Sequence, residues 1–274
     1  MTTDEWLLQA TQLLTNSDIP TARLDCLVLL EDCLHTDRAH ILAHPETTLT
    51  IEQQKILDEH ITKRTKHIPL AYIRGKTEFY GRDFIINKHV LEPRPETETM
   101  IDLLKELATG NWKLETIIDV GTGSGAIAIT AALELGAVQV IATDIDEQCL
   151  TVARQNCEKY KATITLLQGN LLGALPKTIN YKQSTILANL PYVPNDHKLN
   201  QAAMNEPKLA IFGGEDGLDL YRTMFTQIGS LRSKPAYVLT ESLPFQHSAL
   251  TKIASKTGYT QQTTNDFIQV FTLK

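Results

Sequence analysis

The sequence predicts an α/β protein: a mostly parallel sheet wound with helices, preceded by a small helical domain and joined to it by a β-hairpin. Three observations carry this. Apolar strands alternate with helices from Thr116 to the end of the chain. Residues 1–74 show helical periodicity instead. Between them, residues 75–90 switch to a short two-strand pattern, and the sheet domain then spans 91–274.

In the helical part, Trp6, Leu7, Ala10, Leu13 and Leu14 fall on one face of a first helix. Pro20 opens a second, with Leu24, Leu27, Val28, Leu30 and Leu34 as core positions. A short segment, Arg38 to Ala43, stops before Pro45. Thr50 caps a helix running to about His67, with Ile51, Ile56, Leu57 and Ile61 inward. Phe79-Tyr80-Gly81 and Phe84-Ile85-Ile86 then suggest two strands around a turn. Pro93 and Pro95 punctuate the start of a helix over Glu96 to Ala108.

The strands expected beyond are Thr116–Val120, Val138–Thr143, Thr163–Leu167, Thr185–Ala188, Ala236–Thr240 and Phe267–Thr272. The last of them is expected to follow a helix from Phe245 to about Lys256.

The net charge of -6 argues against a broad, non-specific grip on nucleic acid, which relies on clustered Lys and Arg. Cys26, Cys33, Cys149 and Cys157 form no C-x-x-C pair and read as reduced thiols of a cytosolic protein. No metal site is expected. The N-terminus lacks a basic region followed by a cleavable apolar stretch, and no apolar run approaches a membrane span. A cytoplasmic protein without a membrane partner is the expectation.

Gly121-Thr122-Gly123-Ser124-Gly125 follows the strand ending in Asp119-Val120 and leads into a helix at Ala126. Glycines here let the backbone turn sharply and approach a ligand with no Cβ in the way. The next strand ends in Thr143-Asp144, placing a carboxylate where it would accept from both hydroxyls of a ribose. Two cofactors suit this arrangement, S-adenosylmethionine and NAD. The NAD fingerprint G-x-G-x-x-G wants its third glycine one residue later, which favours S-adenosylmethionine.

Asn189-Leu190-Pro191-Tyr192 directly follows another apolar strand. A planar amide or exocyclic amine nitrogen is a poor nucleophile, because its lone pair is delocalised. The Asn189 side-chain oxygen and the Leu190 carbonyl can accept its two N–H hydrogens and aim the lone pair at an electrophilic methyl. Pro191 fixes the turn, and Tyr192 offers a flat face to a planar group. Catalysis of this kind is positioning plus stabilisation of developing charge. The order of loop, acid and motif resembles the nitrogen methyltransferases with an [ND]-P-P-Y motif.

Further stretches resemble one family, the peptide chain release factor glutamine N5-methyltransferases (PrmC/HemK). They are Ala22-Arg23-Leu24-Asp25, Pro69 to Gly75, Phe79-Tyr80-Gly81, Pro93-Arg94-Pro95-Glu96-Thr97-Glu98, Asp119 to Ile129, and Glu206-Pro207 with Ala210 and Gly213 to Leu218. The resemblance implies a Rossmann-like class I SAM-dependent methyltransferase sheet of seven strands, with an N-terminal domain that helps dock the release factor. It implies methylation of the glutamine in the Gly-Gly-Gln loop of class 1 release factors, with no direct nucleic-acid partner. It also implies that Gly121, Thr122, Gly123, Ser124, Gly125, Asp144 and Leu171 bind the cofactor. Asn189 to Tyr192 would hold the substrate glutamine, with Asn189 also near the cofactor.

Two departures stand out. The family usually has Pro where Leu190 stands, and N-L-P-Y is also a form found in adenine-N6 methyltransferases acting on nucleic acid. The family's Gly-Asp-aromatic reads Gly169-Asn170-Leu171 here, so Asn170 is expected to accept from the adenine amine while Leu171 packs on the ring. Arg94 and Glu96 have either a direct role or an ion pair locking hairpin to helix. Gly213-Gly214 can serve simply to turn the chain, and Glu241 and Gln246 are expected to be support.

Overall fold

The computed structural model describes residues 1–110, 113–136, 138–199 and 201–274. They form two compact units, one of 1–75 with 199–205 and one of 76–198 with 206–274.

The first unit holds five helices, α1 (Thr3–Asn16), α2 (Ala22–Leu34), α3 (Arg38–Ala43), α4 (Ile51–Arg64) and α5 (Leu70–Arg74). α1 and α4 each begin with a reciprocal cap. Thr2 with Glu5, and Thr50 with Gln53, exchange side-chain and backbone hydrogen bonds that satisfy N–H groups a helix start leaves open. The core is Trp6, Leu14, Leu29, Leu30 and Leu57, with Leu27 and Ile61 beside them.

Several expected core residues lie outside it. Leu13, Leu24, Ile51 and Ile56 are exposed, Ile51 at 91%. Leu24 points away from the face carrying Cys26, Leu29 and Leu30, so Leu29 fills the place expected of it. Ile51 and Ile56 flank the Leu57–Ile61 stripe of α4 on opposite sides. The buried face also carries an ion pair, with Arg64 Nε donating to Asp25 Oδ2 at 2.7 Å and Arg64 Nη1 to the Ile68 carbonyl at 3.2 Å.

The second unit opens with a hairpin, β1 (Lys76–Phe79) and β2 (Arg82–Ile85). Tyr80 and Gly81 both take positive φ, at 53° and 69°, the geometry a two-residue turn needs to match strand twist. Phe79 and Phe84 are fully buried with Met100 and Ile101 of α6 (Glu98–Ala108), which a 3-10 turn over Pro95–Thr97 precedes. The hairpin is thus part of the sheet unit's core.

β3 (Thr116–Val120), α7 (Ala126–Leu135), β4 (Gln139–Asp144), α8 (Glu147–Tyr160), β5 (Thr165–Gln168), β6 (Ser184–Ala188), α9 (Asp219–Gly229), β7 (Tyr237–Glu241), α10 (His247–Ser255), β8 (Tyr259–Asn265) and β9 (Ile268–Leu273) follow. The seven strands order as β5-β4-β3-β6-β7-β9-β8. The first five run parallel, β9 runs antiparallel between β7 and β8, and β8 again runs in the direction of the first five. β3 is buried throughout and splits its side chains between two cores, Ile117 joining α6 and α7 on one face and Ile118 joining α9 and α10 on the other.

β8 was not among the expected strands. Its sequence, Tyr259 to Asn265, is mostly Thr and Gln and, after Tyr259, mostly exposed, as an edge strand permits. The final strand therefore pairs with a hairpin neighbour instead of following α10 directly.

Candidate active site

The carboxyl ends of β3, β4 and β6 meet at one cavity of about 200 Å³. Gly121 to Ser124, Asp144, Asn170, Leu171, Asn189, Leu190 and Pro191 all line it. This is the edge where open α/β sheets bind ligands.

The glycine loop is shaped by its own hydrogen bonds. Gly121 and Thr122 N–H both donate to the Thr143 carbonyl at 2.9 Å, and Gly125 N–H donates to the Thr122 carbonyl at 2.9 Å. Gly123 N–H donates to Asp144 Oδ2 at 2.9 Å. Gly121, Gly123 and Gly125 all hold positive φ, and a Cβ at Gly123 would meet nothing, so its open side faces the cavity. Gly125 does not line the cavity; it sits against Ile129 and Ala153, where α7 starts.

Since these four N–H groups are already used, the loop is poorly furnished to bind a pyrophosphate. The charges around it agree. Asp144 and Asp146 line the same wall, and Asp119 lies buried beneath, its Oδ2 accepting from the Thr122 hydroxyl at 2.6 Å. Burial raises Asp119 to about 7. An acidic cradle suits a cofactor that carries positive charge on sulfur and nitrogen better than a dinucleotide.

Asp144 accepts from Gly123 N–H on one oxygen and from Asp146 N–H at 2.9 Å on the other, which fixes the carboxylate while leaving lone pairs for ribose hydroxyls. Burial also raises its pKa. Ile145, directly after it, is 56% exposed although large and apolar, and it faces the cavity. Leu171, at φ 55°, is buried at 7% on the same cavity. Both give this cavity apolar lining. Ile145 escaped the sequence reading, although an apolar residue directly after a strand-end acid was a usable signal.

Asn156, on α8, was also missed. Its side chain is fully buried, with Oδ1 accepting from Ile85 N–H at 2.7 Å. Nδ2 donates to the carbonyls of Ile85 and Ser124, both at 2.9 Å. One amide thus ties β2 to the glycine loop.

The Asn189–Tyr192 motif begins where β6 stops. Val120 and Ala188 are paired across β3 and β6, so the glycine loop and the motif leave the sheet side by side. Asn189 Nδ2 donates to the Thr97 hydroxyl at 3.1 Å, and the Leu190 N–H donates to the Tyr221 hydroxyl at 3.2 Å. Tyr221 in turn donates to the Glu241 backbone carbonyl. The Leu190 side chain is buried and packs against Gly121.

Tyr192 does not line the cavity; its hydroxyl donates to Glu241 Oε1 at 3.0 Å, and burial beside that carboxylate pushes its pKa far up. Glu241 itself is 1% exposed, with Oε2 accepting from the Thr97 hydroxyl at 2.6 Å. Burial raises its pKa as well.

A loop clamps the motif from behind. Gln246 Nε2 donates to the Tyr192 carbonyl at 2.8 Å and to the Asp216 carbonyl at 2.7 Å. Val193 bridges Phe212 in parallel, Val193 N–H donating to the Ile211 carbonyl and Gly213 N–H to the Val193 carbonyl, both at 3.0 Å. A Cβ on Gly213 would stand 2.2 Å from the Pro191 carbonyl. Gly213 does more than turn the chain: it admits the motif's backbone.

Arg94 lines the cavity and pairs with Glu206 Oε1 at 2.6 Å, with Glu92 at 3.5 Å on its other side. Its partner is therefore not Glu96, which is exposed. The lock between hairpin and helix comes from Glu98, whose carboxylate accepts from Tyr80 N–H at 2.7 Å.

Residues 5–75 match the PrmC N-terminal domain family, and residues 94–191 match the ribosomal protein L11 methyltransferase (PrmA) family. A release factor glutamine methyltransferase from Koribacter versatilis is 39% identical over 215 residues, covering 77% of this chain and 76% of its own. One from Bacillus cereus is 37% identical over 220 residues, covering 78% and 77%. Among solved structures, the hMettl16 catalytic domain in complex with a 3'UTR hairpin superposes with a TM-score of 0.55 at 16% identity, covering 79% of this chain and 82% of that one. That likeness is one of fold, the class I methyltransferase sheet. With this identity and coverage, the chain belongs to the release factor glutamine methyltransferase family.

Proposed function

We propose that this enzyme methylates the side-chain amide nitrogen of the glutamine in the Gly-Gly-Gln motif of peptide chain release factors, with S-adenosylmethionine as donor. The observation that carries the reading is the adjacency of two strand ends. Gly121 follows Val120, Asn189 follows Ala188, those two are paired, and both loops line one cavity.

When bound, S-adenosylmethionine supplies an electrophilic methyl on a sulfonium. Gly121, Thr122, Gly123 and Ser124 would form the floor that receives it, with Gly125 turning the chain into α7 beside them, and Asp144 would take the ribose hydroxyls. Leu171 and Ile145 would hold the adenine through apolar contact, and Asn170 would accept from its amine. Asn189 Oδ1 and the Leu190 carbonyl accept the two N–H groups of the substrate amide, which holds the nitrogen lone pair toward the methyl. As charge develops on nitrogen, both preorganised acceptors gain strength. Pro191 fixes the turn, and Tyr192 contributes through Glu241 and its clamped carbonyl. Leu190 in place of Pro leaves the required carbonyl untouched and adds an N–H, which Tyr221 accepts.

The helical unit is assigned to docking the release factor, and the enzyme to the cytoplasm, where translation termination occurs. Methyl-labelled cofactor should label a release factor and fail to label its Gln→Ala variant in the Gly-Gly-Gln loop. Equal labelling of the two, or label in RNA alone, would overturn the assignment.

A further inference from the structure

An asparagine amide has two unlike ends, an oxygen that only accepts and an NH₂ that only donates. If Asn189 is to receive a substrate N–H, its oxygen must face the cavity. Half a turn about the terminal torsion exchanges the two ends at little intrinsic cost, because that torsion is broad and roughly two-fold. Something outside the asparagine has to choose.

The buried contacts behind it make the choice. A hydroxyl has one proton. Thr97, 2% exposed, gives its proton to Glu241 Oε2 at 2.6 Å, across 144 residues of sequence. What remains on Thr97 Oγ1 is lone pairs, so only a donor is tolerated against it, and Asn189 Nδ2 is that donor at 3.1 Å. The direction ends at Glu241, whose two carboxyl oxygens both accept here. Its second oxygen takes the Tyr192 hydroxyl at 3.0 Å. Tyr221 reaches the Glu241 backbone carbonyl and leaves the side chain alone. Glu96 faces Glu241 as a like charge and joins burial in raising its pKa, whereas Thr97, Tyr192 and Asn189 lower it by hydrogen bonding.

We infer that Thr97 and Glu241 are positioning residues, which through the one-way chain Asn189→Thr97→Glu241 hold the Asn189 amide with its oxygen toward the substrate nitrogen. The inference rests on the reading of Asn189 as an acceptor for the substrate amide. It gives a chemical duty to the threonine of the Pro93–Glu98 stretch and to the buried glutamate at the end of β7.

The test compares Thr97→Val, which keeps the shape and loses the hydroxyl, with Thr97→Ser, which keeps the relay, and with Asn189→Ala. Each is assayed for methyl transfer to a release factor and for S-adenosylhomocysteine affinity by calorimetry. Thr97→Val is expected to lower kcat by about 10- to 100-fold, with the release-factor KM and the S-adenosylhomocysteine Kd within about threefold of the parent. Thr97→Ser is expected to stay within about threefold in kcat. If Asn189→Ala is inactive while Thr97→Val turns over like the parent, the relay is wrong and the role of Asn189 stands. If Asn189→Ala itself turns over like the parent, that role falls and the relay with it. A Thr97→Val enzyme that loses S-adenosylhomocysteine affinity as steeply as kcat would mark a merely structural residue and overturn the inference.

Discussion

Gly217 lies against Tyr192 so closely that a Cβ on it would stand 2.0 Å from the Tyr192 carbonyl oxygen and 2.4 Å from Gln246 Nε2. Its φ of 80° adds a second reason for glycine there. Gly217→Ala must therefore push back the carbonyl that Gln246 holds, and with it the turn that carries Asn189. A loss of stability of about 2–4 kcal/mol and a fall in kcat are expected. Urea denaturation and the methyl-transfer assay read the two effects separately.

Asn156 fills three backbone hydrogen-bonding needs with one side chain, at Ile85 twice and at Ser124 once. Replacing it by Leu leaves those buried groups without partners in an apolar setting. Asn156→Leu is expected to destabilise by roughly 2–4 kcal/mol and to weaken cofactor binding, because the Ser124 carbonyl belongs to the loop proposed to receive it. Calorimetric titration of S-adenosylhomocysteine checks the second effect, and a Kd equal to the parent's would refute it.

In the helical unit, Arg64 and Asp25 are both buried and paired at 2.7 Å. Removing only the cation strands a carboxylate in the core. Arg64→Met should cost about 3–5 kcal/mol, and the double change Arg64→Met with Asp25→Leu should cost clearly less than the sum of the two single changes. A double-mutant cycle by chemical denaturation measures the coupling.

Asp119 gives the pH prediction. Burial raises its pKa from 3.8 to about 7, with Asp144 adding to the shift and Thr122 opposing it. Between these values the folded state binds a proton that the unfolded state has released. Its contribution to stability is thus fully present below about 3.8 and is lost as pH rises toward about 7. Asp119→Asn should remove this slope. The denaturation midpoints of variant and parent, compared from pH 4 to pH 8, ought to diverge in favour of the variant as pH rises.

The parts of the site that the sequence displayed share one property: their reasons are local. Gly121, Gly123 and Gly125 are needed for positive φ at those positions, and a run such as Thr116–Val120 is apolar because a central parallel strand is buried on both faces. β8 was illegible because an exposed edge strand has no burial to imprint a pattern on Thr and Gln. Ile51 and Ile56 misled because α4 carries more apolar residues than its buried stripe holds. The contacts of Thr97 with Glu241 and of Arg94 with Glu206 join residues 144 and 112 positions apart, and only the tertiary fold reveals such partners.

The pairing of Val120 with Ala188 has a consequence for how such enzymes diversify. Neighbouring strands keep a spacing of roughly 4.8 Å whatever side chains they carry. The gap between the glycine loop and the Asn189 turn is thereby written in backbone, as a ruler is marked in its own material. Loops beyond Tyr192 can change in length and sequence while that gap stays the same.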